Sequence, residues 1–397
     1  MEKVRYGIVG IGKQGFSYAK RLHKGKDKNA VLVAVCDIAP ARREKAQKEL
    51  GGVKIYDNYT DMLDSGLIDA VIIDTPHYLH PVIGIAALEK GLHVLSDKPI
   101  GVYTKAVREL NACAAKRPEL VFGVLYNQRT NSMYRKAKQI VESGQLGELK
   151  RIAWIITDWY RPQAYYDQGG WRGTWGGEGG GVLINQDPHQ LDLFTWIANR
   201  KIERVWSSAR TVGRAINVEN DVTAYCEFEG GASGVFITST HEFPGSNRLE
   251  ISGDGGRIVI SGNWRKKLQF TRNSVMEPVF SEQSVRARES GVQKDLTTQR
   301  IRSKTRTYRQ PLREAIATLL GGQHMGIIRN FSATVLGKAN LIAPGADGIT
   351  GLTFSNAIHL SAWTGQTVEL PLDEELYVRL LREHVEQEKE TGVKQNS

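Results

Sequence analysis

The sequence has 397 residues, of which 41% are hydrophobic and 24% are charged, and its formal net charge is +10. This length predicts more than one domain, and the composition is that of a soluble globular protein. No apolar run approaches the roughly 18 to 20 residues of a membrane span, and the first residues lead into a predicted strand rather than a signal peptide. The three cysteines have neither metal-ligand spacing nor the even number of a disulfide set. We therefore expect a cytoplasmic protein without a metal site.

The excess positive charge is spread along the chain except between Lys294 and Arg313. Within that stretch every second residue of a short run is basic, which in a strand would place the cations on one face: Arg300, Arg302, Lys304 and Arg306. Because interleaved aromatic residues are lacking apart from Tyr308, we expect a solvated or subunit-contact arm and no nucleic-acid binding.

A glycine turn near the start of the chain predicts a nucleotide site. A strand at residues 4–9 is followed by Gly-x-Gly-x-x-Gly and then by a helical pattern. Gly10 allows the tight turn, Gly12 lets the backbone approach a pyrophosphate, and Gly15 lets helix and strand pack closely. A second strand ends on Asp37, 22 positions after Gly15, near the roughly 20 expected for a carboxylate that binds the adenosine ribose. We assign to this site Gly10, Ile11, Gly12, Lys13, Gln14, Gly15, Asp37 and Ile38.

The identity of the cofactor depends on the surroundings of Asp37. A free carboxylate there favours NAD(H) over NADP(H), because it can bind the ribose hydroxyls. Arg42 and Arg43 leave NADP(H) open, since a guanidinium near Asp37 can accept a 2′-phosphate. The other alternative is a flavodoxin-like sheet with a glycine turn and no nucleotide.

The pattern of strands and helices changes near residue 126. Before it, apolar strands alternate with helices, which predicts a parallel sheet covered on both faces. After it, strands dominate and are joined by tight glycine connections at residues 229–232 and 253–256. We predict an α/β chain with an N-terminal Rossmann domain at residues 1–126 and a C-terminal α+β domain at residues 127–397. The second domain would bind substrate and carry an open, mainly antiparallel sheet, whose exposed face predicts a homodimer or homotetramer.

Two predicted strands of the first domain end in polar residues that a core does not need. Ligands bind at the carboxyl ends of parallel strands, so these residues should face the nicotinamide end of a dinucleotide. We assign to the cofactor site Thr75, Pro76, His77, His80, Asp97, Lys98 and, after the last strand, Asn127.

A glycine-dense segment follows the first strand of the second domain. Residues 169–181 contain eight glycines together with Trp171, Arg172, Trp175 and Glu178. This density suggests a backbone brought close to a flat ligand, with a flexible surface loop as the alternative. Residues 183–197 then look helical, and a single helix would place Asn185 and His189 on one side.

In this order and spacing, the motifs resemble the Gfo/Idh/MocA oxidoreductases of sugars and cyclitols. The resemblance is carried by the glycine turn, Thr75-Pro76 with His80, Asp97-Lys98-Pro99, and Gly179-Gly180-Gly181 followed by His189 and Asp192. It implies that Lys98 is the catalytic lysine. The family usually has Glu at position 97, and many members have Asp at position 185, where Asn185 cannot exchange protons. Asp187 falls where glycine is common.

The resemblance implies hydride transfer between NAD(H) and a secondary alcohol of a pyranose sugar, a glycoside or an inositol-like cyclitol. Such a reaction needs a base for the hydroxyl proton and a donor that stabilises charge on the oxygen. His189 is the candidate base because imidazole titrates near neutral pH. Lys98 would polarise the oxygen, with its pKa lowered beside the nicotinamide ring, and Asn185 would position the hydroxyl.

The predicted substrate pocket combines aromatic rings, which stack on the apolar face of a pyranose, with groups that bind hydroxyls. Its residues are Lys98, Tyr126, Asn127, Arg129, Tyr160, Trp171, Arg172, Asn185, Asp187 and His189. The absence of an obvious arginine cluster favours a neutral sugar over a sugar phosphate. Two alternatives stay open: an NAD-dependent glycosidase that works through a transient 3-keto sugar, and a non-catalytic regulator that binds NAD(H) or sugar, which Asn185 favours.

Overall fold

The computed structural model describes residues 2–262, 264–290 and 302–391. Within them, the first part of the chain forms a six-stranded, all-parallel sheet with strand order 3-2-1-4-5-6. Its strands are β1 (Val4–Val9), β2 (Ala30–Cys36), β3 (Lys54–Tyr56), β4 (Ala70–Ile73), β5 (His93–Ser96) and β6 (Phe122–Val124). Its helices are α1 (Lys13–His23), α2 (Pro40–Glu49), α3 (Tyr59–Leu63), α4 (Leu79–Glu89) and α5 (Thr104–Ala115).

The apolar strands of this sheet are buried on both faces. All four residues of β4 are buried, and the core continues through β1, β2 and β5. This is the arrangement expected when helices cover both faces of a parallel sheet, and it confirms the predicted Rossmann fold. Met325, Ile328 and Phe331, from far along the chain, also pack into this core.

A second sheet follows a short 3₁₀ helix (Asn127–Thr130) and α6 (Ser132–Glu142). Nine strands are paired in the described residues, in the order 14-13-12-11-7-10-9-8-15. They are β7 (Leu149–Ile156), β8 (Ile202–Arg210), β9 (Asp221–Phe228), β10 (Ser233–Ser239), β11 (Asn247–Gly253), β12 (Gly256–Ser261), β13 (Lys267–Asn273), β14 (Ser303–Arg309) and β15 (Val368–Glu369). Only the β7–β10 pair is parallel among these neighbours, so the prediction of a mainly antiparallel sheet is confirmed.

The helices that follow α6 pack partly on one face of the second sheet and partly against the first domain. They are α7 (Gln163–Tyr166), α8 (Val182–Asn185), α9 (Pro188–Ala198), α10 (Glu277–Glu289), α11 (Leu312–Leu319), α12 (Gly322–Val335), α13 (Gly348–Thr364) and α14 (Glu374–Thr391), with a 3₁₀ turn at Gly345–Asp347. α9 and α13 pack on the buried face. The other face is open and exposes Ile155, Trp206 and Tyr225.

The structure corrects the single helix predicted at residues 183–197. α8 ends at Asn185, and α9 begins at Pro188 after a bend at Gln186 and Asp187. Pro188 has no N–H to continue the hydrogen bonding of α8, and it restricts the conformation of the residue before it. Asn185 and His189 therefore lie on two helices rather than on one face of one helix.

The predicted basic strand lies partly outside the described residues. Arg300 is not among them, whereas Lys304 and Arg306 lie on β14, an exposed strand that pairs with β13 at the edge of the described sheet. This leaves the prediction of a solvated or subunit-contact arm open. In the residues that the structure describes, no helix has both the length and the apolar character needed to span a membrane.

Candidate active site

The glycine turn between β1 and α1 presents an open backbone at Gly12. A Cβ on Gly10, whose φ is +88°, would lie 2.3 Å from the carbonyl oxygen of Asp74, and one on Gly15 would lie 2.0 Å from the carbonyl oxygen of Gly10. The nearest atom to a Cβ on Gly12 is Nη1 of Arg42, at 3.9 Å. α1 starts directly after Gly12 without a side-chain cap. The turn therefore fits the close approach of a pyrophosphate to the helix N–H groups.

Asp37 stands at the end of β2 beside this turn. Its Oδ2 accepts hydrogen bonds from Ile11 N at 2.9 Å and from Arg42 Nη1 at 3.2 Å. Arg43 Nη1 donates to the carbonyl oxygens of Asp37 and Ile38 at 2.9 and 2.8 Å. Both arginines that left NADP(H) open are thus engaged by Asp37 or its neighbouring backbone. This arrangement favours a ribose with free hydroxyls, as in NAD(H).

Two histidines connect the polar strand ends. His80 lies between the carbonyl oxygens of Pro99 and Thr75, 2.6 Å from the first through Nδ1 and 2.8 Å from the second through Nε2. His77 Nδ1 lies 2.8 Å from the carbonyl oxygen of Glu178 in the second domain. Burial lowers the pKa of both imidazoles. His80 thus fixes the loop that carries Thr75, whose buried Oγ1 has no partner in the described chain.

Lys98 follows β5 and reaches across to the second domain. Its ammonium donates a hydrogen bond of 2.7 Å to the backbone carbonyl oxygen of Asn185. Burial lowers the pKa of Lys98, and the negative charges of Asp97, Glu178 and Asp74 oppose this shift. Since an ammonium has three N–H groups, two are left without a hydrogen-bond acceptor in the described residues.

His189 lies in the first turn of α9, close to Lys98. Its ring packs edge-on against Tyr126, with 6.1 Å between the ring centroids. Its Nδ1 is buried and finds no hydrogen-bond partner among the residues described. Burial, followed by the charges of Lys98 and His324, lowers the pKa of His189 well below its ordinary value. The imidazole is therefore neutral near pH 7 and able to accept a proton.

The side chain of Asn185 belongs to a polar cluster formed with the 169–181 loop. Its Nδ2 donates to Oε1 of Glu178 and, at 3.3 Å, to the hydroxyl of Tyr165. Arg172 Nη1 donates to that hydroxyl at 2.7 Å and lies 3.6 Å from Glu178 Oε1. The Arg172 guanidinium also stacks on Trp171, 4.6 Å from the ring centroid. Burial raises the pKa of Glu178 to about 7.

Some predicted substrate residues are engaged elsewhere. Arg129 is buried and binds both carboxyl oxygens of Asp192, at 2.9 and 2.6 Å, and Asp347 at 2.6 Å. Tyr126 is buried against His189, and its hydroxyl lies 3.4 Å from the Gly348 carbonyl oxygen. Arg129 therefore holds helices together, and this placement gives no support to its predicted substrate contact.

The remaining predicted pocket residues lie at different depths. Tyr160 is 41% exposed and packs against Phe243. Asp187 is fully buried beside Thr238, and burial raises the pKa of its carboxyl to about 8. The amide nitrogen of Asn127 faces the ring of His324, while its buried Oδ1 is unpaired within the described chain. The structure thus brings Lys98, Asn185, His189, Trp171 and Arg172 together and gives no support to a substrate contact at Tyr160.

Sequence reasoning missed two residues of this site. Tyr165 contacts Asn185, Gln186 and Arg172 through its hydroxyl, and the charge of His324 acts on His189. Both residues lie in segments of the sequence that contain no motif. Tertiary contacts bring them to the site, so no local spacing in the sequence could have identified them.

Two family models match this chain. The model described as an oxidoreductase family with an NAD-binding Rossmann fold matches residues 4–125, and the GFO/IDH/MocA C-terminal domain matches residues 134–259. Myo-inositol 2-dehydrogenase of Thermotoga maritima is 24% identical over 64% of this chain and 74% of its own length. The NAD⁺-dependent scyllo-inositol 2-dehydrogenase of Bacillus subtilis is 28% identical over 65% of this chain and 74% of its own.

Solved structures extend the similarity over nearly the whole chain. The WlbA dehydrogenase of Chromobacterium violaceum, in complex with NADH and UDP-GlcNAcA, is 27% identical, has a TM-score of 0.74 and covers 94% of this chain and 97% of its own. Scyllo-inositol dehydrogenase of Lactobacillus casei, with NAD(H) and scyllo-inositol, shares the fold at 22% identity and a TM-score of 0.69, over 92% of this chain and 99% of its own. The glycine turn, the two sheets and both family models agree, and the chain is an NAD-binding member of the Gfo/Idh/MocA oxidoreductases.

Proposed function

We propose that this protein transfers a hydride between NAD(H) and a secondary alcohol of a pyranose sugar, a glycoside or an inositol-like cyclitol, assisted by Lys98 and His189. The observation that carries the proposal is the meeting of Lys98, from the first domain, with Asn185 and His189 of the second. The relatives named as inositol dehydrogenases, and the WlbA dehydrogenase bound to NADH and a sugar nucleotide, support this substrate class.

The residues divide the proton chemistry between them. Bound NAD⁺ supplies the acceptor for the hydride. The neutral imidazole of His189 accepts the hydroxyl proton during oxidation and returns it during reduction. The Lys98 ammonium donates a hydrogen bond to the same oxygen and stabilises negative charge there as the proton leaves. The Asn185 side chain positions the hydroxyl, while Trp171 and Arg172 contribute stacking and hydrogen-bonding groups at the same side of the site.

The cofactor residues have separate tasks. Gly12 and the first N–H groups of α1 would hold the pyrophosphate, and Asp37 would hold the adenosine ribose. The unpaired oxygens of Thr75 and Asn127 are available to the nicotinamide end. Ile11, Lys13, Gln14, Pro76, His77 and Asp97 are proposed to line the same cleft.

The test is a substrate panel read by NADH absorbance. Purified protein is mixed with NAD⁺ and, separately, with myo-inositol, scyllo-inositol, glucose and aryl glucosides. We expect NADH to form with at least one polyol. Release of the aglycone without net NADH would instead identify the glycosidase, and binding of NAD⁺ and polyol by calorimetry without turnover would identify a regulator. No reaction and no polyol binding across the panel would contradict the proposal.

We also propose that the protein acts in the cytoplasm as a homodimer or homotetramer through the open face of its second sheet. Trp206 and Tyr225 are paired across β8 and β9 and are 50% and 41% exposed, with Ile155 at 39% on the same face. A second subunit packed on this face would remove these apolar side chains from water, which favours association. Light scattering should give at least twice the mass of one chain, and Trp206→Glu should lower it, whereas Val31→Glu on β2 should not. A monomeric parent protein would contradict this assembly.

A further inference from the structure

Glu178 is a buried carboxyl around which the 169–181 loop is folded. The residue is 1% exposed, and its Oε2 accepts a 2.7 Å hydrogen bond from Gly173 N. A Cβ on Gly177 would lie 2.6 Å from the carbonyl oxygen of Trp171, so the loop closes here on itself. Only one cation of the loop, Arg172, approaches the carboxyl in the described chain, and it stays 3.6 Å away. Burying a carboxyl this completely costs free energy, so we expect Glu178 to have a specific structural or functional role.

The carboxyl determines how the side chain of Asn185 is oriented. Burial raises the pKa of Glu178 to about 7, so its carboxyl is ionised in mildly alkaline solution. An ionised carboxylate only accepts hydrogen bonds, so the atom of Asn185 that faces Oε1 is then the amide nitrogen. The same nitrogen lies 3.3 Å from the Tyr165 hydroxyl, which already receives a hydrogen bond from Arg172. The Asn185 oxygen is thereby turned the other way. It accepts no hydrogen bond from the described residues and is free to receive one from a substrate hydroxyl.

Glu178 also acts on Lys98. The ammonium of Lys98 is bound to the carbonyl oxygen of Asn185, the residue whose amide touches Glu178. The negative charge of Glu178 is one of the three that oppose the effect of burial on the pKa of Lys98. Arg172 faces Glu178 from its own loop, and Glu219 acts on it as a like charge from outside the loop.

Resting on the proposed function, we propose that Glu178 is a positioning residue of the active site. Its carboxylate turns the Asn185 oxygen toward the substrate hydroxyl and supplies negative charge beside the Lys98 ammonium. A neutral amide at position 185 can then serve the reaction, because the carboxylate beside it comes from a different segment of the chain. Glu178 exchanges no proton with the substrate.

A purely structural role for Glu178, holding the loop through Gly173 N, makes a different prediction. If the role were structural, Glu178→Gln would weaken the hold on the loop, and no change at position 185 would restore activity. The combination of Glu178→Gln with Asn185→Asp separates the two roles. It again places one carboxylate and one amide in contact, but the carboxylate is now at position 185 and the amide at position 178.

The experiment measures kcat and KM at about pH 9, above the pKa of Glu178, for the best polyol of the panel in four proteins: the parent, Glu178→Gln, Asn185→Asp and the double variant. We expect Glu178→Gln to lower kcat by about tenfold to a hundredfold, the scale of a lost charged hydrogen bond, with unchanged affinity for NAD⁺ by calorimetry. Asn185→Asp should also lower kcat, since two carboxyls then meet. The double variant should recover at least half of the loss on a logarithmic scale. Glu229→Gln, at an exposed position, is the matched control.

Each result supports or contradicts the positioning role of Glu178. A parent protein that turns over no polyol overturns the proposed function and this inference with it. An active parent with unchanged kcat in Glu178→Gln, or a double variant no faster than that single variant, overturns this inference alone. Circular dichroism monitors folding: if the single variant does not fold, a folded and active double variant supports the inference, and an unfolded one shows that Glu178 serves only the loop.

Discussion

Two glycine-rich segments serve this molecule in opposite ways. In the turn at residues 10–15, the middle glycine faces open space, with no atom closer than 3.9 Å to a Cβ on Gly12. In the loop at residues 169–181, most of the glycines face the protein itself, although Gly170 faces open space. A Cβ on Gly179 would lie 2.4 Å from Val102 Cγ1, and one on Gly181 would lie 1.8 Å from the carbonyl oxygen of Glu219. The first segment leaves room for a ligand, whereas the second uses glycine to bury its own charged residue.

This difference shows why glycine density alone did not predict function. The loop was expected to bring backbone close to a flat ligand, and its alternative was a flexible surface segment. Instead, most of its glycines pack against the protein, and the Arg172 guanidinium stacks on Trp171 beside Glu178. Glycine permits close approach, but only the partner at the approach decides between a binding site and a packing contact.

The largest expected effect tests whether the two domains that carry these segments form one active site. We expect Lys98→Met and His189→Ala each to lower kcat at least about a hundredfold, the usual scale for loss of general acid–base catalysis. Calorimetric affinity for NAD⁺ should stay nearly unchanged. Exposed positions supply the controls, Lys116→Met and His23→Ala, which should keep the parental rate. Near-normal turnover in either site variant would remove that residue from the mechanism.

A second expected effect concerns Asp187, at the bend between α8 and α9 beside the loop. Its pKa is about 8 in the folded protein and about 3.9 in an unfolded chain. Between these values the folded state keeps a proton that the unfolded state releases, so the free energy of unfolding falls as pH rises. Asp187→Asn removes this titration. From pH 5 to pH 8, urea unfolding should show the parent losing stability relative to the variant, on the order of a few kcal/mol.

Asp167→Asn, at an exposed position, is the control for this comparison and should follow the parent at both pH values. Equal pH dependence in the parent and in Asp187→Asn would show that the buried carboxyl does not titrate in this range.

The sequence predicted the parts of the molecule that depend on local pattern. The glycine turn, the parallel sheet around β1 and the mainly antiparallel second sheet all follow from spacing and periodicity over a few residues. The bend at Pro188 was missed because the apolar spacing on either side of it is continuous, and helical periodicity was weighed above the missing N–H of proline.

The arrangement of the candidate site depends on contacts that sequence spacing does not record. Lys98 meets a backbone oxygen 87 positions away, and Arg129 was predicted to bind substrate although Asp192 and Asp347 occupy it. Residue type alone could not separate these two cations. Their partners come from distant segments, and only the folded chain decides which cation is left for a ligand.

The two glycine roles in the turn are separable by substitution. Gly12→Ala adds a methyl group to open space, so the protein should fold normally, but the methyl occupies the path of the pyrophosphate. We expect its Kd for NAD⁺ to rise at least about tenfold, or roughly 1.4 kcal/mol. Gly15→Ala should instead lower the melting temperature, because its Cβ would collide with the Gly10 carbonyl oxygen. A lower melting temperature for Gly12→Ala would contradict the conclusion that the backbone of Gly12 faces open space.

The smallest expected effect tests how the loop is held from outside. Glu388 of α14 accepts hydrogen bonds from Trp175 N and Gly176 N at 2.9 Å, and from Asn217 Nδ2 at 2.8 Å. In Glu388→Gln, an NH₂ group replaces one of the two carboxyl oxygens and faces an N–H donor that has lost its acceptor. We therefore expect the free energy of unfolding to fall by about 1 kcal/mol. KM for the polyol should rise while Kd for NAD⁺ stays constant, because the loop carries substrate groups and the glycine turn does not depend on α14. Glu386→Gln, exposed on the same helix, should change neither value. A parallel rise in the Kd for NAD⁺ would mean that the two glycine segments are coupled rather than independent.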